Sequence, residues 1–403
     1  MRTPGYLRGS RMALLLCALL AAALALPAAA TAKDDGAQAS IIGGRAGSIA
    51  EFPSLAFVEA RHGKHSFSCT GTVVAPRVVL TAAHCVESIE RGRLTPAGDY
   101  AVATGVANPS KAGPENIFRV SQAQVFPGFD PGTLHGDAAI LILSRPTSAP
   151  PIALARPGDA GLYASGTPVQ LAGWGLTGAK ATRTPDNFRT TTMKVQSTQF
   201  CKQKTRPYYP EFSAAAQFCT LDPPTKKTGG CFGDSGGPTI GQRADGTQVE
   251  LGIISTGGPL CSTKLPNVMT RIDLVSPWVA EWIAAVETGA PAPPVDPSAP
   301  FPKMNRRAAE EFTAFTLIGS FGRRFEGARE VFGICRRASR SRFVCEVAWV
   351  FRRNVYFGRV SPFYVRQQGA VVWNSHYRIE WTPVRCVNSR NPGGRCPIRS
   401  KRG

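Results

Sequence analysis

From Ile41 to about Ile272 the chain is a succession of short apolar runs, such as Val73 to Leu80 and Ala138 to Leu143, separated by Gly, Pro and Asn. Short apolar runs punctuated by turn residues predict strands, and so an all-β unit. The period then changes. Ser276 suits a helix N-cap and Pro277 the first helical position, and Val279, Trp282, Ile283 and Val286 form one apolar face before Gly289 closes the helix. The next stretch, Ala290 to Pro302, holds too many prolines for a helix or a ladder strand and reads as a stiff extended linker. Beyond it, Arg306 to Phe315 fits one helix, and Phe343, Cys345, Val347, Trp349 and Phe351 alternate along a strand. Further strands are expected near Val355 to Val365 and Val371 to Trp381. The absence of any fixed-period repeat excludes solenoids and arrays.

The first residues run from a basic stretch through an apolar core, Met12 to Leu26, to small residues at Ala30 and Ala32, which is secretory signal architecture. A spanning helix needs about 20 apolar residues, more than this core offers, and no later segment is apolar enough to span. Lys33 to Ser40 is polar, small and without periodicity, as a short propeptide is. The organisation expected is a signal peptide over 1–32, a propeptide over 33–40, an all-β domain over 41–289, a linker over 290–303, and a small disulfide-bonded, strand-rich α+β domain over 304–403.

Composition adds two points. Of 11 cysteines, Cys17 leaves with the signal, and an even number remains in an exported chain, which implies disulfides. Six fall between Cys69 and Cys261 and four between Cys335 and Cys396, so each domain can be stapled internally. Cys335, Cys345, Cys386 and Cys396 form no close pairs and have no histidine nearby in sequence, so disulfides explain them better than a metal site, with the pairing open. The net charge of +20 is concentrated at one end: 21 Lys/Arg face six Asp/Glu between Lys303 and Gly403. Arg336, Arg337, Arg340, Arg342, Arg352 and Arg353, interleaved with Trp349, Tyr356 and Trp373, suit an anionic polymer or an envelope surface. A merely solvated basic face is the plainer reading, and no nucleic-acid motif is present.

The candidate chemistry lies in the first domain. Hydrolysis by a serine needs an activated hydroxyl, a base, a carboxylate that orients the base, and donors for the developing oxyanion. Gly233-Asp234-Ser235-Gly236-Gly237-Pro238 flanks a serine with glycines, so that the N–H groups of Gly233 and Ser235 can turn toward one point. Leu80-Thr81-Ala82-Ala83-His84-Cys85 supplies a histidine, and Asp137 opens the apolar run that ends at Leu143, where its carboxylate would be buried and could fix one imidazole tautomer. His62, His65, His135 and His376 lack such a motif and read as structural or solvent-facing.

The order His, Asp, Ser and these local motifs resemble the chymotrypsin/trypsin family, together with Ala172-Gly173-Trp174-Gly175 and Gly252-Ile253-Ile254-Ser255, from about Ile41 to Val286. The resemblance implies a double six-stranded β-barrel with a short C-terminal helix, and a triad of His84, Asp137 and Ser235. It implies disulfides Cys69 to Cys85, Cys201 to Cys219 and Cys231 to Cys261. Cleavage after Ser40 would free the Ile41 α-amino group to pair with Asp234, and because Ser40 is not basic, trypsin-like self-activation is not expected. The primary pocket is implied at Gly229, Ser255, Gly257 and Asn267, with Gly229 where an aspartate would select Lys or Arg and Asn267 where glycine is usual. An uncharged, shortened pocket cannot repay the desolvation of a cation, so small or medium uncharged residues are the expected preference.

The reading is thus a secreted serine endopeptidase, extracellular or associated with the cell envelope, acting on protein or peptide substrates without cofactor or metal. The competing class is a catalytically silent protease fold that binds through its basic C-terminal domain. A further alternative makes that domain an inhibitor or chaperone cut away in the linker.

Overall fold

The structure is a computed structural model that describes residues 41–62, 65–88, 92–209, 211–387 and 398–403. The expected signal peptide and propeptide, and Cys396, lie outside the described residues. The described residues form one compact unit.

Six strands close the first barrel: β1 (Leu55–His62), β2 (His65–Ala75), β3 (Val78–Thr81), β4 (Tyr100–Thr104), β5 (Ile117–Val125) and β6 (Ala139–Leu143), joined in the order β1-β2-β3-β6-β5-β4. Six more follow: β7 (Pro168–Gly173), β8 (Arg189–Val195), β9 (Gln217–Leu221), β10 (Pro238–Gln242), β11 (Gln248–Thr256) and β12 (Asn267–Arg271). Their order is β8-β7-β10-β11-β12-β9, and β8 pairs back onto β9 to close a second barrel. Read around the ring, the two barrels have the same strand order. Among the side chains these strands bury are Val58, Val73, Leu80, Val102 and Leu141 in the first barrel and Val169, Leu171, Leu251 and Ile253 in the second. Each such side chain contributes about 1.5–3 kcal/mol when withdrawn from water. This is the expected double barrel.

A short helix α1 (Thr198–Thr205) precedes β9, and helix α2 (Ile272–Thr288) follows β12. The sequence placed the cap of α2 at Ser276 and its first helical residue at Pro277; the helix begins five residues earlier, at Ile272, with Pro277 inside it. Burial of Ile272 and Val275 against the second barrel outweighs the one backbone hydrogen bond that the proline cannot donate. Gly289 ends the helix with φ of 71°, a left-handed cap for which glycine is suited. The apolar run Val73 to Leu80 is two strands, because Pro76 and Arg77 turn the chain between β2 and β3.

After the linker, helix α3 (Arg306–Phe321), capped by the Asn305 side chain, lies on a five-stranded antiparallel meander: β13 (Glu330–Ser339), β14 (Arg342–Phe351), β15 (Asn354–Gln367), β16 (Ala370–Pro383) and β17 (Arg399–Arg402). Between helix and sheet, Phe312 stacks on Trp373 and Trp349 on Tyr356, each with ring centroids 4.8 Å apart. A disulfide joins Cys335 and Cys345, which face each other across β13 and β14. Cys386 is also disulfide-bonded. Strand β13 was not foreseen. Only Cys335 of its ten residues is buried, so it lacks the alternation that reveals a strand. The hairpin end of β15 and β16 reaches the first barrel, where Val365, Ala370 and Val372 join the barrel's apolar cluster.

Candidate active site

His84 lies on the single turn Ala83–Cys85 that follows β3, Asp137 lies just before β6, and Ser235 sits in the turn that enters β10. Two side chains therefore come from the first barrel and the third from the second. The barrels are tied at this point: the Thr70 N–H donates to the Ser235 carbonyl and the Thr70 hydroxyl to the Gly233 carbonyl, both at 2.9 Å. Gly236 has φ of 81°, and a methyl group there would collide with Thr81 and the Thr70 carbonyl, so the serine turn closes this tightly only with glycine. The Cys69–Cys85 disulfide fixes the histidine turn to β2. Disulfides Cys201–Cys219 and Cys231–Cys261 brace the second barrel.

Asp137 is fully buried and spends both oxygens. Its Oδ2 lies 2.7 Å from His84 Nδ1 and accepts the Ser255 hydroxyl at 2.6 Å, while Oδ1 accepts the His84 backbone N–H at 2.9 Å. Burial alone would raise the carboxyl pKa, but the charge and hydrogen bonds of His84, aided by Ser255, hold it below the ordinary value. Burial works the other way on His84, pressing its pKa down, and the Asp137 charge overcomes it and keeps the imidazole above its ordinary value. Ser255, expected in the substrate pocket, thus also anchors the carboxylate, a role its motif did not disclose.

His84 and Ser235 line one cavity of about 360 Å³, shared with Leu134, Ser255, Gly257 and Asn267. Gly233 has φ of 98°, and neither its N–H nor that of Ser235 donates to an acceptor among the described residues. Across the exposed Phe232 a second cavity of about 630 Å³ is lined by Phe57, Leu176, Asp186 and Gly233. Gly229 is not among the residues lining the first cavity. Its N–H and carbonyl pair with Ile42, and Asn267 stands in front of it, with Oδ1 accepting the Gly230 N–H at 3.1 Å. The Asn267 amide is 2.5 Å from where a methyl group on Gly257 would sit, so this side chain spans the pocket from wall to wall.

Asp234 is also fully buried. Its carboxylate accepts the N–H groups of Gly175 at 2.7 Å and Cys231 at 2.9 Å, in a space that exists because Gly173 and Gly175 carry no Cβ. Burial pushes its pKa up to about 7, and no cation pairs with it among the described residues. Ile41 is buried too, with φ of 37°. The ligand atoms of Cys69, His84 and Cys85 lie within 4.8 Å of one another, but both sulfurs are in the disulfide and His84 Nδ1 faces Asp137, so the group offers no thiolate to a metal.

The sequence did not single out Leu134 or Phe232. Leu134 carries the one available signal, its place three residues before Asp137 in a turn rich in Gly and Pro.

A family model described as Trypsin matches residues 41–279. Among curated relatives, a trypsin of Saccharopolyspora erythraea is 29% identical over 235 residues, covering 58% of this chain and 93% of that protein. Mast cell protease 8 of Mus musculus is 31% identical over 231 residues, covering 56% and 83%. Serine protease 28 of Mus musculus is 27% identical over 222 residues, covering 53% and 77%. The family match covers more than half of the chain and contains His84, Asp137 and Ser235. The chain belongs to the trypsin family and is a serine endopeptidase.

Proposed function

We propose that the chain is exported and cleaves polypeptides through an acyl-enzyme on Ser235. The Ser235 Oγ attacks the scissile carbonyl carbon as His84 Nε2 takes its proton, and Asp137 holds the Nδ1–H and balances the imidazolium. The carbonyl oxygen, now negative, receives the two uncommitted N–H groups of Gly233 and Ser235. His84 then gives the proton to the leaving amine, and water resolves the ester by the same steps. The contact that carries this reading is the 2.7 Å approach of His84 Nδ1 to Asp137, beside a cavity that also holds Ser235.

Asn267 across the pocket favours small or medium uncharged residues at the cleaved position, because a long side chain cannot pass it and a cation would find no countercharge. Release of the Ile41 α-amino group by cleavage after Ser40 supplies the cation that buried Asp234 lacks, and so sets the oxyanion donors. On the outer face of the C-terminal sheet, exposed Arg359, Arg378 and Arg402 stand directly opposite one another on adjacent strands. Like charges so placed repel, even with Glu346 and Glu380 alongside, and an anionic polymer at the cell surface suits this row.

The test is a peptide library digested by the secreted protein, with its N-terminus sequenced and a Ser235→Ala control. Cleavage after small uncharged residues, lost in the control, supports the reading; a preference for arginine overturns the specificity proposed.

A further inference from the structure

The turn between Asp130 and Asp137 places Leu134 in the wall of the cavity that holds Ser235. It does so in an unfavourable conformation: Leu134 has φ of 52°, a left-handed backbone that costs a side-chain-bearing residue about 1–3 kcal/mol and persists only where the surroundings impose it. Part of the restraint is internal. The Asp130 carbonyl accepts the Leu134 N–H at 2.7 Å, and Gln217 Nε2 donates to the Leu134 carbonyl at 3.3 Å. Asp130 organises the turn through its side chain, with Oδ1 accepting the Gly132 N–H and Oδ2 the Thr133 hydroxyl, both at 2.9 Å.

The rest of the restraint comes from the C-terminal module, beyond the end of the family match. The Tyr364 hydroxyl, on β15, donates to Asp130 Oδ1 at 3.0 Å. Burial, then the Asp130 charge, raises the Tyr364 pKa, so the phenol stays a donor. Asn305, the cap of α3, donates through Nδ2 to the Gly132 carbonyl at 3.2 Å. The fit at Gly132 is close: a methyl group there would collide with the Tyr364 hydroxyl and lie 2.9 Å from the Ala308 Cβ. A second attachment lies just past His84. Glu87 and Ser88 pair with Leu94 and Arg93 in a short hairpin, the Leu94 N–H donates to Gln367 Oε1 at 3.0 Å, and the chain at Gly92 runs so close to β16 that a methyl group there would collide with the Trp373 carbonyl.

We propose that the C-terminal module is a clamp on the active site, in which Tyr364 and Asn305 are positioning residues that hold the Asp130 turn so that Leu134 keeps its strained place in the substrate wall. This rests on the protease reading for its kinetic consequence but not for its structural one. Asp137 has its own bonds to His84 and Ser255, so loosening the turn acts on substrate binding more than on the chemical step.

The experiment is a double-mutant cycle of Tyr364→Phe and Leu134→Gly in the full chain, with active sites titrated so that only competent enzyme is counted. Glycine adopts the left-handed conformation without strain, which makes the Tyr364 restraint redundant. Losing a hydrogen bond to a charged acceptor predicts about a tenfold rise in KM for peptides, with kcat within about twofold, when Tyr364→Phe is made alone. In the Leu134→Gly background the same change should move KM by less than about twofold. Hydrogen exchange of the peptide covering 130–136 should quicken by a similar factor, even in Ser235→Ala protein. An equal KM effect in both backgrounds, or a fall only in the titratable fraction with unchanged exchange, overturns the clamp. If exchange quickens as stated but the unmodified protein cleaves nothing, the clamp stands and the protease reading falls.

Discussion

Near pH 8, replacing Asp234 by asparagine should have opposite effects before and after cleavage at Ser40. In the uncleaved chain the buried carboxyl has two backbone donors and no cation among the described residues, and its pKa is pushed from 3.8 up to about 7. A folded-state pKa above the unfolded value means that stability is full at low pH and is lost as pH rises toward about 7. Three units correspond to about 4 kcal/mol across that window. Asparagine removes this pH dependence but replaces one acceptor oxygen with a donor, at a cost of about 1–3 kcal/mol. Asp234→Asn should therefore be neutral or harmful near pH 4 and stabilising by about 1–3 kcal/mol near pH 8. In the chain that begins at Ile41, the ammonium makes Asp234 a paired carboxylate, and breaking such a buried pair costs about 3–5 kcal/mol. The assay is denaturant unfolding at both pH values in a Ser235→Ala background, where self-digestion cannot interfere. Equal destabilisation of the uncleaved form at both pH values would refute the reasoning.

Three further outcomes are expected. The acid limb of kcat/KM should lie above the ordinary histidine range, since His84 must be neutral to take the serine proton and Asp137 raises its pKa; Asp137→Asn should lower that limb and cut activity by on the order of 10⁴, a magnitude carried over from the family. Asn267→Gly should shift preference toward long uncharged side chains by about 10- to 200-fold, read as the ratio of kcat/KM for two peptides, and an unchanged ratio would remove Asn267 from the pocket. Cutting the linker between Ala290 and Pro302 should leave the C-terminal module attached in size-exclusion chromatography, because Val365, Ala370 and Val372 are packed with the first barrel; a module that elutes alone would show that this contact does not hold.

What the sequence disclosed, and what it did not, follows from the range of the forces involved. His84, Asp137 and Ser235 stand in short motifs in which each neighbour has a local duty, such as Gly236 permitting a positive φ. Alternation exposed β14, where Phe343, Cys345, Val347 and Trp349 are buried in turn. It failed at β13, an edge strand with almost nothing to bury. The start of α2 was misplaced because tertiary burial of Ile272 overrode a favourable local cap at Ser276. Proline-rich composition suggested a tether between separate domains, whereas Tyr364 reaches Asp130 and Gln367 reaches Leu94 across 234 and 273 residues of sequence. Contacts of that separation leave no periodic trace, and the same holds for the Ser255 hydroxyl on Asp137.

The central claim is that Ser235 is a nucleophile driven by His84 and dependent on a free Ile41. Its most direct test is labelling with an organophosphate probe, mapped by mass spectrometry, on the chain beginning at Ile41, on the uncleaved chain and on His84→Ala. Rapid labelling of Ser235 in the first, with little or none in the other two, is the predicted result. Labelling at another residue, or equal labelling in all three, would contradict it.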